Sequence, residues 1–420
     1  MKFIFRIVLI PLIIFSFLLS SLSFIPAYSH DYEKNIYLKT SEPDYWPTSS
    51  WKASSPEDQG MSVQKLQEME DYISDNNLNF DSILVIRNGY LIHESYPSHI
   101  YDQNDKHHIY SCTKVFTSAL IGIALEEGLI GSIDDKVLEY FPEKTFNNMD
   151  SRKQSLTIRQ LLTMTSGIEW IDQINYYEMA GTVDWVQYIL DQPMEHQPGS
   201  VWNYNTGCSH LLSAILDRLS PSGFINYLKT KLFDPLNITN YSWMVDNQGI
   251  PIGGTLLYVT PRDMAKFGFL YLHDGYWNGS QLVPSEWISE SATSFMNVEF
   301  DRGHGSGYGY QWWIYKWLNS YTARGSYEQY ITVIPDLKMV VISTANSGNF
   351  GFINLIVDYI LPSAGFTPFN YLLFTSIFIV SVSVCAITAF LFFRIRKKTS
   401  IRKLKEKYLN DVNQEEDKIS

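Results

Sequence analysis

Ser111 and Lys114 stand three residues apart in the run Ser111-Cys112-Thr113-Lys114. On a helix, residues at that spacing share a face and their side chains can meet. A serine hydroxyl is a weak nucleophile near neutral pH until a neighbour takes its proton. A lysine amine serves when burial or a nearby positive or dipolar group makes the amine form accessible. A serine in the first helical turn also faces unpaired backbone N–H groups, which favour developing negative charge. The chemistry outlined is acyl transfer through a serine ester, with Ser111 as nucleophile and Lys114 as its proton partner.

Two later clusters could complete such a site. Pro198-Gly199 precedes Trp202-Asn203-Tyr204-Asn205-Thr206-Gly207, directly before an apolar helical stretch. A tyrosine on a loop ahead of a rigid helix is firmly held, and its phenol can accept or relay a proton beside a cation such as Lys114. Ala323-Arg324-Gly325 stands directly before a strand. Gly325 permits close backbone approach, a strand edge there could donate an N–H to a substrate oxyanion, and Arg324 could hold a carboxylate. Taken singly, each cluster is also an ordinary feature. Ser-x-x-Lys recurs by chance, Tyr204 is one of 28 tyrosines, and a glycine before a strand is a common hairpin entry.

The elements that must position these groups follow from the pattern of the chain. Residues 61–73 have helical spacing, with Ser62 as a cap. Residues 81–87 form a short β-branched run, Asn88-Gly89 follows, and the strand pattern resumes over 90–94, the signature of a hairpin. Residues 110–127 are helical and carry Ser111 and Lys114. Further helices are expected over 157–163, over 208–219 and from Pro261 onward. After residue 307 strands return, first over 308–315, then as a hairpin of 328–334 and 338–344 around Pro335-Asp336. Strands at both ends of the body with helices between them predict an α+β fold. Its antiparallel sheet would be flanked by helices, with a second, mainly helical lobe.

Together these residues resemble the serine beta-lactamase-related family, which covers class C beta-lactamases, D-Ala-D-Ala carboxypeptidases, esterases and 6-aminohexanoate-dimer hydrolases. The resemblance spans roughly residues 55–360. Ser111-Cys112-Thr113-Lys114 matches the family's Ser-x-x-Lys, Tyr204 its Tyr-x-Asn tyrosine, and Ala323-Arg324-Gly325 its Lys-Thr-Gly or His-x-Gly. Also similar are Leu161-Leu162-Thr163-Met164-Thr165-Ser166-Gly167, Leu232-Phe233-Asp234-Pro235-Leu236, Thr260-Pro261-Arg262-Asp263-Met264 and Gly309-Tyr310-Gln311-Trp312-Trp313. The resemblance implies a beta-lactamase/transpeptidase-like fold, Ser111, Lys114 and Tyr204 as catalytic groups, and no cofactor or metal. It also implies substrate contacts from Thr206, Arg324 and Gly325. The strand after Gly325 would add Glu328 or Gln329, with a backbone N–H there joining that of Ser111 to hold the oxyanion. Thr206 replaces the asparagine of many members and cannot offer an amide's paired donor and acceptor. Ala323 replaces the lysine that binds a substrate carboxylate in lactamases and peptidases. Both departures favour an esterase or small-amide hydrolase. A D-amino-acid peptidase or beta-lactamase, and a penicillin-recognising membrane sensor that acylates without turnover, are the alternatives.

Composition and the chain ends set the remaining expectations. The net charge is −12, with no basic footprint for nucleic acid. The tail after residue 393 carries nine Lys/Arg against five Asp/Glu, so the rest of the chain is strongly acidic. Residues 1–29 read as a signal peptide or N-terminal anchor, and 30–54 as a stalk or lead-in to a hydrolase domain over 55–360. Residues 371–393 carry no charge and are long enough to span a bilayer, with Arg394, Arg396, Lys397 and Lys398 directly after them. These predict a C-terminal transmembrane helix with the bilayer as partner, an extracytoplasmic catalytic domain and a basic cytoplasmic tail over 394–420. Three Asn-x-Ser/Thr sites, at Asn237, Asn240 and Asn278, match the glycosylation pattern. Cys112, Cys208 and Cys385 do not make a disulfide scaffold, and Cys112 is expected to pack rather than react. His107-His108 are read as structural or surface groups, and the substrate as a small ester, amide or short peptide.

Overall fold

The computed structural model describes residues 42–300, 305–346, 348, 351–366, 393–394 and 396–401. Helix α1 (Val63–Asp75) is capped by Ser62, whose side chain accepts from the Lys65 N–H. Strands β1 (Phe80–Arg87) and β2 (Tyr90–Ser95) form the hairpin expected from Asn88-Gly89, with Asn88 at φ 52° and Gly89 at φ 88°. Helix α2 (Thr113–Glu126) carries Lys114, and α3 (Asp172–Ala180) and α4 (Thr206–Leu219) belong to the helical lobe. Helix α5 (Pro261–Leu272) opens with Thr260 as its cap and proline in the first turn. The chain then supplies β3 (Gly307–Tyr308), β4 (Trp313–Tyr315), β5 (Ser320–Gly325), β6 (Gln329–Ile334) and β7 (Met339–Ala345).

These seven strands make one antiparallel sheet in the order β2-β1-β7-β6-β5-β4-β3. Strands from the two ends of the body therefore meet at its centre, where β1 pairs with β7. Side chains alternate across the sheet with a period of two. Ile83, Val85 and Val341 face α1 and the helical segment 352–363; Leu84, Ile86, Ile331 and Val340 face α2, α4 and α5. The fold is α+β: an antiparallel sheet between a thin helical layer and a larger helical lobe.

Helix α2 is apolar all round and buried from Thr113 to Ala124, so it runs through the core rather than along a surface. Gly122 makes this possible on one side, since a Cβ there would lie 2.4 Å from the Trp287 ring. The described part of the lead-in, 42–54, lies against the body. Trp46 and Trp51 stack edge-on against Phe269 of α5, and Ala53 bridges Leu91 of β2. The family-like run from Thr260 has structural work too, because Arg262 makes a two-pronged pair with Glu94 at 2.7 and 2.8 Å.

One group of expectations is corrected. Among the described residues no helix is long and apolar enough to cross a membrane. The run 371–392 and the leader 1–29 lie outside the described residues. Helix α2, buried from Thr113 to Ala124, is 14 residues long and enclosed by protein. The transmembrane helix is accordingly removed from the fold. Membrane anchoring, the lipid bilayer as partner, the signal peptide and the extracytoplasmic placement are withdrawn, and so is the membrane sensor, which needed that helix.

Candidate active site

Ser111 sits in a 3-10 turn (Tyr110–Cys112) leading into α2, one step earlier than the first α-helical turn expected from the sequence. Tyr110, before it, adopts φ 46°, a left-handed conformation unusual for a bulky residue. The turn is held on several sides. Its carbonyl at Tyr110 accepts from the Thr113 hydroxyl at 2.6 Å, and that hydroxyl accepts in turn from the Leu257 N–H at 3.3 Å. The Tyr110 ring stacks on His108 at 3.7 Å and meets Tyr327 edge-on at 5.2 Å. His108, also stacked on Tyr258, bonds Thr255 and accepts from the Leu256 N–H, and burial lowers its pKa to about 4. It is a neutral spacer in the wall beside Ser111.

Lys114 is 1% exposed, yet its ammonium is fully engaged. It donates to the Ser111 hydroxyl at 3.1 Å, the Thr206 hydroxyl at 3.3 Å and the Gly254 carbonyl at 2.7 Å. It also lies over the Tyr204 ring, 4.9 Å from its centroid. Gly254 must be glycine for this approach: a Cβ there would stand 2.6 Å from the Thr206 methyl group and 3.4 Å from the Lys114 nitrogen. Ser111, Lys114, Tyr204 and Thr206 are thus brought together, although Lys114 and Thr206 are 92 positions apart.

Tyr204 is set by the turn before α4. The Asn203 N–H donates to Met164 and its side chain to the Trp170 carbonyl, while Asn205 caps α4 by accepting from the Cys208 N–H. The turn rests on the segment that runs to Gly167, where a Cβ would clash with the His196 carbonyl at 2.4 Å. Gln311 braces α4 from the other side, accepting from Ser209 and donating to the carbonyls of Leu161 and Leu162. The Tyr204 ring stacks on Trp313 at 5.8 Å.

The third cluster divides. Gly325 is wedged against the nucleophile turn, since a Cβ there would lie 2.5 Å from the Ile109 carbonyl and 3.1 Å from the Tyr110 Cβ. Arg324 points into an aromatic cage, its guanidinium carbon 5.2 Å from the Trp313 ring, 5.3 Å from Phe300 and 5.6 Å from Tyr330. Lys114, Tyr204, Trp313 and Arg324 therefore form a stack of cation, ring, ring and cation. Glu328 turns away, its carboxylate accepting from the Gly351 and Phe352 N–H groups, and the Gln329 amide donates to the Tyr327 and Ala345 carbonyls. Cys112 and Cys208 are free and buried; burial drives the Cys112 thiol pKa far up and that of Cys208 to about 12.

One contributor had no signal in the sequence. Asp172, the first residue of α3, accepts from the Thr206 N–H at 2.7 Å, the Thr206 hydroxyl at 2.9 Å and the Trp170 indole at 2.8 Å. It is one of 44 acidic residues and lies in no motif.

The family model described as Beta-lactamase matches residues 67–354, well over half the chain. The chain belongs to the beta-lactamase family. Its type of chemistry is that of a serine hydrolase. An uncharacterised protein of Alkalihalophilus pseudofirmus is 23% identical over 292 residues, covering 63% of this chain and 83% of that one. Beta-lactamase-like protein 2 of Dictyostelium discoideum is 27% identical over 40% of this chain, a match spanning only 36% of that relative's length. Among solved structures, a Bacillus anthracis protein provisionally named a 6-aminohexanoate-dimer hydrolase has a TM-score of 0.62 at 22% identity, covering 78% of this chain and 89% of that one. EstCE1, named as a hydrolase with promiscuous acyltransferase activity, has a TM-score of 0.60 at 14% identity over 70% and 97%. At these identities the two structures testify to the fold. Ala323 on β5 is buried and uncharged, and Arg324 follows it on the strand face that carries Trp313.

Proposed function

We propose that the protein hydrolyses a small, uncharged ester or amide through an acyl-enzyme on Ser111. The observation that carries this reading is a buried lysine amine 3.1 Å from a serine hydroxyl, with a tyrosine ring on its other side.

Ser111 Oγ attacks the substrate carbonyl and gives its proton to the Lys114–Tyr204 pair. The carbonyl oxygen becomes an oxyanion held by the Ser111 N–H, at the mouth of α2, and by a backbone N–H of the turn 325–329. Tyr204 returns the proton to the leaving group as the carbon–leaving-group bond breaks. Water then attacks the ester, delivering one proton to the Tyr204–Lys114 pair. That proton goes back to Ser111 Oγ as the acid departs. Each half-reaction leaves the enzyme's proton inventory unchanged.

Ala323 supports the ester or small-amide reading over a peptidase, since it offers no cation to a substrate carboxylate, and Arg324 is engaged by the rings of Phe300, Trp313 and Tyr330. The aromatic wall of Tyr110, Tyr258 and Tyr327 supports an apolar acyl group. The test is labelling by a fluorophosphonate, followed by turnover of short esters, D-amino-acid amides and a chromogenic cephalosporin. Labelling of the wild type with complete loss in Ser111→Ala is expected, with esters turned over fastest. Equal labelling of Ser111→Ala would refute the assignment.

A further inference from the structure

We infer that Asp172 is a positioning residue for the catalytic base, acting through the Thr206 hydroxyl; this deepens the proposed function and rests on it.

A threonine hydroxyl has one proton to donate and lone pairs to accept with. Asp172 as a carboxylate can only accept, and it takes both the hydroxyl proton of Thr206 at 2.9 Å and its backbone N–H at 2.7 Å. The Thr206 oxygen therefore presents lone pairs alone to Lys114, whose nitrogen donates to it at 3.3 Å. Trp170 fixes the carboxylate from behind by donating to it at 2.8 Å. Donation thus runs outward from Lys114, to Ser111 on one side and through Thr206 to Asp172 on the other, and every member except the half-exposed Asp172 and Ser111 is buried.

Two consequences follow. Asp172 fixes the Thr206 hydroxyl so that its lone pairs face the Lys114 nitrogen, and this orients the amine toward Ser111. Thr206 also has no proton left for a substrate, so the third residue of the Tyr-x-Thr element serves the base and leaves a substrate amide unrecognised. An asparagine in its place would keep N–H donors to spare. The other titratable groups facing this chain are Cys112 and Cys208, Tyr204, Tyr176 on α3 itself, and Tyr308 on β3. Burial raises both thiols and the Tyr176 and Tyr308 phenols, so these four keep their protons through the neutral range.

The experiment measures the rate of fluorophosphonate labelling of the full chain as a function of pH. Asp172→Asn is expected to slow labelling about 10- to 100-fold at the plateau, the scale on which misplacement of a reacting group is felt. Its acid limb should move to lower pH by about one unit, because the site loses a negative charge. Thr206→Val should share both changes, and Thr206→Ser should restore the wild-type profile. A role confined to fold stability would lower the active fraction and leave the limb in place. Wild-type rate and limb in Asp172→Asn would overturn the inference, as would a slowed rate with an unmoved limb. If that variant fails to fold, the Thr206→Val and Thr206→Ser pair decides: equal profiles for the two overturn it. Failure of the wild type to label at Ser111 would instead sink the underlying functional reading.

Discussion

Two lysines of the helical lobe, Lys114 and Lys153, are equally hidden from solvent, at 1% and 0% exposure, and each donates to three acceptors. Those of Lys153 are all backbone carbonyls, of Asn147 at 2.9 Å, Leu190 at 2.6 Å and Gln192 at 2.8 Å. It closes the end of a helix and ties it to the segment before 151, although burial draws its pKa down. Lys114 has one carbonyl and two hydroxyls. A carbonyl has no proton to exchange, whereas the hydroxyl of Ser111 does. Burial and saturation are therefore the same in both places, and the chemistry of the acceptor separates a clamp from a base.

That contrast can be broken by three measurements. Lys114→Met should lower the labelling rate and ester turnover by about 10³-fold, the usual scale for losing a positioned base, with most of the chain's stability retained. Turnover near wild type would put Lys114 in the same class as Lys153. Lys153→Met should do the reverse. Leaving buried carbonyls without donors is expected to cost ~2 to 4 kcal/mol in chemical denaturation, while labelling per folded molecule stays at the wild-type rate. The smallest effect is one of pH. His108 and His273 are both lowered from 6.5 to about 4 by burial, so the unfolded chain takes up protons that the folded one refuses. Stability should be complete above 6.5 and decline as the pH falls toward 4, read as a falling melting temperature. Loss of labelling before loss of fold on that descent would point to titration within the site itself.

Much of this was legible in the sequence, for reasons that differ by residue. The Asn88-Gly89 hairpin, the Ser62 cap and the Thr260-Pro261 helix start are local devices, and local devices leave local signatures. Ser111, Lys114 and Tyr204 came from spacing and from the resemblance, which spans distant segments in a fixed order. Arg324 was drawn toward a substrate because its charge is visible in sequence, but strand alternation sends it to the cage of Phe300, Trp313 and Tyr330. Glu328 was read as a substrate neighbour and serves as the cap of a helix beginning near 352. Asp172 was invisible because its role depends on a partner 34 positions away and on the direction of one hydroxyl proton. The spanning helix was read from the length and lack of charge of residues 371–393 and from the basic cluster after them, and residues 371–392 lie outside the described ones.

The register that pairs Phe80 with Ala345 has a consequence for synthesis. A ribosome adding about 5–20 residues per second releases the first hairpin tens of seconds before the strand that will lie alongside it. Through that interval the hairpin offers an unsatisfied row of peptide groups flanked by Ile83, Val85 and Ile86. The nascent polypeptide thus depends on chaperone cover, or on swift completion, in a way that a protein built from neighbouring strands does not.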